Sequence, residues 1–251
     1  MLETRNLKMK YGKKIILDDI SLSFGEKMTT VILGKNGSGK TTLLRCLAGA
    51  IRKYEGEIIL NGQNIRFYDD KQRARLLSLM PQLLPRPAIS VKRLLEMGRY
   101  PYSDDLGRIN SKDQEIAAKA LRECELEGIN DKLVCHLSGG QRQLAYFGMA
   151  ISQDSEIIMM DEPSSALDAN RKKAFCQYLH QLKEKGKTII LSMHDINEAL
   201  KIAEMIVVID EGRIIFQGKV EELVATAIIK ELFGLERKSY FEDGKECYFY
   251  L

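Results

Sequence analysis

Residues 34–41 read GKNGSGKT, directly behind the apolar run TTVIL and ahead of TLLRCLAG. The three glycines permit backbone angles that side chains forbid, so successive N–H groups can converge on an anion. A helix opening behind them aims its positive end at the same point. Lys40 then offers a mobile charge to the β and γ oxygens of a nucleoside triphosphate, and Thr41 offers a hydroxyl to Mg²⁺. The stretch fits GxxxxGK[ST], so Gly34, Lys35, Asn36, Gly37, Ser38, Gly39, Lys40, Thr41 and the adjoining Thr42 are the candidate phosphate-binding residues. This loop alone does not separate kinases, GTPases and motor ATPases.

A second stretch, SEIIMMDEP, narrows the choice. Its four apolar residues form a buried strand, and Asp161 emerges at the carboxyl end, where ligands of an open α/β sheet collect. An aspartate there can hold Mg²⁺, directly or through water. Glu162 follows, free to orient and deprotonate a water for attack on phosphorus. A kinase would have no use for such a base.

A third stretch, LSGGQRQLAY at residues 137–146, supplies another helix start with a serine beside it. Two anion grips in one chain make sense if each faces a partner. Two copies packed head to tail then complete two sites, each joining the glycine loop of one copy to Ser138, Gly139, Gly140 and Gln141 of the other.

The elements that must position these residues follow from pattern. LETRNLKMK, YGKK and IILDDISLSF read as antiparallel strands around a turn. TTVILG is a strand, TTLLRCLAGAI a helix, and EIILNGQNI a hairpin turning at Asn61-Gly62. LLSLM is a further strand. From about residue 83 to 150 the chain turns helical, through VKRLLEMGR and SKDQEIAAKALRECELEG. Continuous apolar runs then return in IIMMD, TIILSMHD and IVVID, as parallel strands covered on both faces require. The expected organisation is one α/β domain over residues 1–251. Its core lies at about 1–82 and 151–215, an inserted helical subdomain at about 83–150, and a strand-and-helix tail at about 216–251. The terminal SYFEDGKECYFYL reads only as a closing piece.

Composition sets outer limits. A net charge of +3 is too small to argue for nucleic acid, and KYGKK and RKK read as solvated turns and helix faces. Cysteines 46, 124, 135, 176 and 247 form no CxxC pair and read as free thiols. The three histidines lack metal-pair spacing, so no structural zinc site is expected. MLETRNLKMK has no apolar core of a secretory signal. The longest apolar runs, such as IIMM and IVVI, fall far short of the roughly 20 residues of a membrane helix. Any membrane span must come from another chain.

Taken together, these stretches resemble the nucleotide-binding subunit of ATP-binding cassette transporters, over nearly the whole chain and in the family's order. The resemblance implies a P-loop NTPase (RecA-like) core carrying an antiparallel β subdomain and the inserted helices. It implies that Tyr11 stacks on adenine, and that Gln82 in LMPQ senses Mg²⁺ and faces the membrane partner. It also implies that Asp168, in SALD, lies on a loop that crosses the dimer interface, and that His194 in SMHD contacts the γ-phosphate. The implied ligands are ATP and Mg²⁺, with Thr41, Gln82 and Asp161 around the metal. The implied partners are a second copy of the chain, a polytopic permease and, indirectly, a substrate-binding protein. The implied location is the cytoplasmic face of the cell membrane, without nucleic acid.

LLEMGRYPY, residues 94–102, resembles a stretch of importers for iron chelates, haem and cobalamin; importers of free metals or other solutes stay open. A soluble cassette of nucleic-acid maintenance fits less well, because no sustained heptads separate the two ATPase halves. A ribosome-acting cassette would normally carry two glycine loops, and a regulator without turnover would have no use for Glu162 and His194. Lys35 falls at a variable loop position. Gly148-Met149-Ala150 departs from the family's arginine-containing run and raises a question of helix packing, not of catalysis.

Overall fold

The computed structural model describes residues 1–242 and 245–251, with side chains left undescribed at 240, 242 and 245–247. Its strands are β1 (Leu2–Tyr11), β2 (Lys14–Phe24), β3 (Thr29–Leu33), β4 (Glu55–Leu60), β5 (Gln63–Asn64), β6 (Leu77–Met80), β7 (Ile157–Asp161), β8 (Thr188–Met193), β9 (Met205–Asp210), β10 (Arg213–Lys219), β11 (Arg237–Glu242) and β12 (Lys245–Tyr250). Its α-helices are α1 (Lys40–Leu47), α2 (Asp70–Leu76), α3 (Val91–Met97), α4 (Ser111–Glu123), α5 (Gly139–Ser152), α6 (Ala169–Glu184), α7 (Ile196–Ile202), α8 (Val220–Val224) and α9 (Ile228–Phe233).

Two larger sheets divide the work. The antiparallel one runs β2-β1-β4-β5. Its β4–β5 turn is Asn61-Gly62, at φ 50° and 81°, the left-handed pair that a two-residue hairpin demands. The other sheet runs β10-β9-β3-β8-β7-β6, parallel except for β10, which returns antiparallel along β9. Every residue of β3, β7 and β8 is buried. Strand period explains why their apolar runs are unbroken. Val31, Leu33, Ile158, Met160, Ile189 and Leu191 face one hydrophobic cluster, which the helices α3–α6 share. Ile32, Ile157, Met159 and Ile190 face a second, formed with α1 and the antiparallel sheet.

The chain between β6 and β7 carries α3, α4 and α5, which pack on one another. Gly148 answers the packing question raised by the sequence. A Cβ there would sit 3.3 Å from Leu126 and Leu95 and 3.5 Å from Cys124 Sγ, so the absent side chain is what lets the helical layers close. Gly148→Val is expected to lower unfolding free energy by about 1–3 kcal/mol through overpacking, read from denaturant midpoints.

Arg99 closes the far end of this lobe. Its guanidinium donates to Asp113 Oδ1 at 2.8 and 3.0 Å and to the Ser152 carbonyl at 2.7 Å, and stacks 3.9 Å from the Tyr102 ring centroid. The GRYPY segment therefore joins α3, α4 and α5. Through Arg75, which donates to the Pro101 carbonyl at 2.9 Å, it also meets α2.

Cys46 and Cys124 are buried free thiols, and burial pushes both up to about 12, which keeps them protonated and unreactive. Cys135 and Cys176 are also free; Cys247 falls outside the described side chains. No helix among the described residues is long and apolar enough to cross a membrane. At the chain end, β11 and β12 pair as a hairpin. Asn197 of α7 pins it, donating to the Tyr250 carbonyl at 2.9 Å and accepting from the Tyr250 N–H at 2.7 Å.

Candidate nucleotide site

The glycine loop spans β3 and α1, and its fit to the neighbouring strand is tight. A Cβ on Gly34 would lie 2.3 Å from the Ile209 carbonyl and 2.5 Å from Ser38 Oγ. Gly39 opens α1 at φ 113°, a conformation reserved for glycine. Lys40 folds back over the loop and donates from Nζ to the carbonyls of Gly34 at 2.7 Å and Lys35 at 3.1 Å. Burial pulls its ammonium below the ordinary lysine value, against the nearby carboxylates of Glu162 and Asp161. Ser38 Oγ is buried without a hydrogen-bond partner among the described residues. A buried orphan hydroxyl, an ammonium held only by carbonyls and a cradle that side chains would fill together fit phosphate.

Across β8 from the loop, β7 delivers the acidic pair. Asp161 is 3% exposed and accepts a hydrogen bond from Ser192 Oγ on β8. Glu162 sits at φ 49°, an uncommon backbone for a non-glycine residue. Its N–H donates to both the carbonyl and Oγ of Ser192, at 3.1 and 3.0 Å. Its carboxylate Oε2 accepts from Gln82 Nε2 at 2.8 Å and lies 3.7 Å from His194 Nδ1. Three strand ends, β6, β7 and β8, thus bring together residues 82, 162 and 194.

These groups line one cavity of about 580 Å³, with Asn36, Gly37, Gly39, Lys40, Thr41, Thr42, Gln82, Glu162 and His194 on its walls. A larger groove of about 810 Å³ over Lys8, Asp18 and Arg213 is open and already crossed by ion pairs between those residues, without a glycine loop or a base. Lys14, expected to be a solvated turn residue, lines the smaller cavity with Ile16. Tyr11 is 54% exposed and is not a wall residue, although its register partner across the hairpin is Lys14.

The remaining expected residues stand apart from this cavity. Ser138 caps α5: its Oγ accepts from the Gln141 N–H at 3.3 Å, while Gln141 Oε1 accepts from the Ser138 N–H at 3.2 Å. Asp168 caps α6 by accepting from the Arg171 N–H at 2.9 Å. These two helix starts are neighbours. A Cβ on Gly139 would lie 3.6 Å from Ala166, and one on Gly140 2.5 Å from the Arg171 guanidinium. Sequence reading missed Ser192, which holds both members of the acidic pair, and Gln143, whose amide grips the chain that follows them. Both lie inside quoted stretches, LSGGQRQLAY and TIILSMHD, but neither was given a role.

Residues 17–165 match the family model described as ABC transporter. The chain belongs to the ABC transporter ATP-binding family. Like other members, this ABC ATPase binds and hydrolyses ATP. It is 37% identical over 237 residues to the petrobactin import ATP-binding protein FpuD of Bacillus anthracis, covering 94% of this chain and 87% of that one. It is 34% identical over 236 residues to the ferric enterobactin transport ATP-binding protein FepC of Escherichia coli (strain K12), covering 93% and 87%. Among solved structures, an inward-facing ABC transporter described as of metal-chelate type aligns with a TM-score of 0.85 at 25% identity, over 100% of this chain and 96% of that one. A dimeric ATP-binding cassette bound to ADP and Pi aligns with a TM-score of 0.77 at 27% identity, over 88% and 99%. The P-loop core, antiparallel sheet and helical crossover of the ABC ATPase fold are therefore present as the sequence implied.

Proposed function

We propose that this chain is the ATP-hydrolysing subunit of an importer for iron–siderophore complexes. The observation that carries the reading is the meeting of Lys40, Gln82, Glu162 and His194 around one cavity. The cargo class rests on relatives named for petrobactin and ferric enterobactin, which align with the chain over more than nine-tenths of its length. We read residues 1–251 as one cassette, with a helical lobe at about 83–150 and a tail at about 216–251.

When bound, ATP supplies the γ-phosphoryl group, and Mg²⁺ neutralises charge on its oxygens. The residues present suit both. Loop N–H groups from Gly34 to Thr42 and the Lys40 ammonium bind the phosphates, and Tyr11 offers its ring to the base. Thr41, Asp161 and Gln82 would hold the metal. Glu162 orients a water and takes its proton; Gln82 holds that carboxylate through Nε2, and His194 stands beside it to meet the terminal phosphate.

The exposed Ser138 and Gly139 open α5 away from this cavity, which suits a head-to-tail dimer. In it Ser138, Gly139, Gly140 and Gln141 of one copy face the other copy's nucleotide, and the loop ending at Asp168 crosses between them. ATP then joins the copies, and hydrolysis releases them. Peripheral to the cytoplasmic face of the membrane, the dimer drives a polytopic permease, which receives cargo from a substrate-binding protein.

The test is recovery of tagged Glu162→Gln protein from detergent-solubilised membranes, with and without ATP, and identification of what accompanies it. The expected result is a polytopic membrane protein at one copy per cassette. Recovery of soluble or nucleic-acid-bound partners alone, while a control transporter is retained, would overturn the proposal.

A further inference from the structure

We infer that Gln143 is a positioning residue that couples the two nucleotide sites of the dimer, an inference that rests on the head-to-tail reading above. Gln143 lies on α5, five residues beyond the Ser138 cap, and is 5% exposed. Its amide is fully used on one neighbouring segment. Nε2 donates to the carbonyl of Glu162 at 3.2 Å and to that of Pro163, and Oε1 accepts from the Ala166 N–H at 3.0 Å. The span it holds runs from the base to the loop that ends at Asp168. A second grip comes from the other side, where Ser164 Oγ donates to Glu198 Oε2 on α7 at 2.9 Å.

Three bonds from one planar, buried amide leave the span little freedom relative to α5. Glu162 itself sits at φ 49°, a conformation that persists only where surroundings enforce it. The chain thus joins two things that serve different sites. The N-terminus of α5 faces the partner's nucleotide, while Glu162 serves the chain's own. When the far nucleotide seats α5, Gln143 carries that displacement to the base, and turnover at each site depends on occupation of both. Ser192 fixes the Glu162 N–H from β8, within the core, and carries no such message from α5.

Gln143→Leu removes all three bonds at similar volume, and Gln143→Glu keeps the acceptor while losing both donors. Steady-state ATP turnover of the full-length chain measures kcat, KM and the Hill coefficient for both variants beside the parent. The parent is expected to show a Hill coefficient near 2, the limit for two sites. Each variant is expected to lose about 100-fold in kcat, as a misplaced catalytic group does, with KM within about twofold of the parent. Its residual turnover should have a Hill coefficient near 1, a change that loss of folded protein would not produce. ATP-dependent dimerisation of Glu162→Gln should survive addition of Gln143→Leu. Should the leucine variant not fold, the soluble glutamate variant decides alone. Parental kcat, lowered kcat with parental cooperativity, or a parent without cooperativity would overturn the coupling. Absent turnover in the parent would instead remove the functional reading on which it rests.

Discussion

Glu162→Gln is expected to lower ATP turnover by about 100- to 10,000-fold, the range for removal of a general base, while leaving ATP-held dimers intact. The geometry separates the two outcomes. Glutamine at 162 still presents an oxygen to Gln82 Nε2, so the contact at 2.8 Å can persist and the cavity keeps its shape. The backbone is held independently, by Ser192 and Gln143. Lys40 and the glycine loop, the proposed phosphate grip, are untouched. What is lost is the ability to accept a proton from water at the edge of β7. Phosphate release and size-exclusion chromatography with ATP measure the two halves of the prediction. Ordinary turnover would show that the proton goes elsewhere and that Glu162 is not the base.

Asp113→Ala is expected to cost about 3–5 kcal/mol of stability, the penalty for leaving one member of a buried ion pair alone. Arg99 and Asp113 side chains are 4% and 5% exposed. Without the carboxylate, Arg99 keeps only the Ser152 carbonyl and the Tyr102 ring. Asp113 also closes the capping box of α4 with Asn110, so the helix start loosens as well. The melting temperature should fall by roughly 6–20 °C for a chain of this size. Replacing both partners, as Arg99→Met with Asp113→Leu, should cost markedly less, because no charge stays buried. Thermal unfolding of the single and double variants decides this. An Asp113→Ala protein as stable as its parent would mean that water reaches Arg99.

Different parts of the site were legible for different reasons. The glycine loop declares itself locally, since Gly34 to Thr41 carry the turn, the charge and the hydroxyl within one stretch. Glu162 was read from its place behind the apolar strand IIMM, but Gln82 and His194 do not declare themselves, because only the adjacency of β6, β7 and β8 brings them to it; family resemblance was needed for those two. Gln143 and Ser192 went unassigned although LSGGQRQLAY and SMHD contain them, because Gln143 grips main-chain groups and Ser192 meets one main-chain N–H and one carboxylate that only the fold brings near. Among the elements, β3, β7, β8 and β9 were plain from their apolar runs. The short α2 was missed because it buries none of its residues, although Asp69 and Gln72 form a capping box that the sequence displays. The β11–β12 hairpin was read only as a closing piece, since its anchor, Asn197, lies in a distant helix.

The crossover between β6 and β7 also has a kinetic side. These strands are neighbours in register, Leu77 beside Ile157 and Met80 beside Met160, yet the whole helical lobe intervenes in the chain. Their pairing carries a large loop-closure entropy while the lobe is unstructured and a smaller one once α3, α4 and α5 have condensed. The Arg99–Asp113 clamp draws α3 and α4 together and reaches the end of α5, so a lobe that closed first would shorten that loop. The same residues that hold the lobe together in the folded protein would then also bear on how long the Asp161 edge stands open to other chains during synthesis.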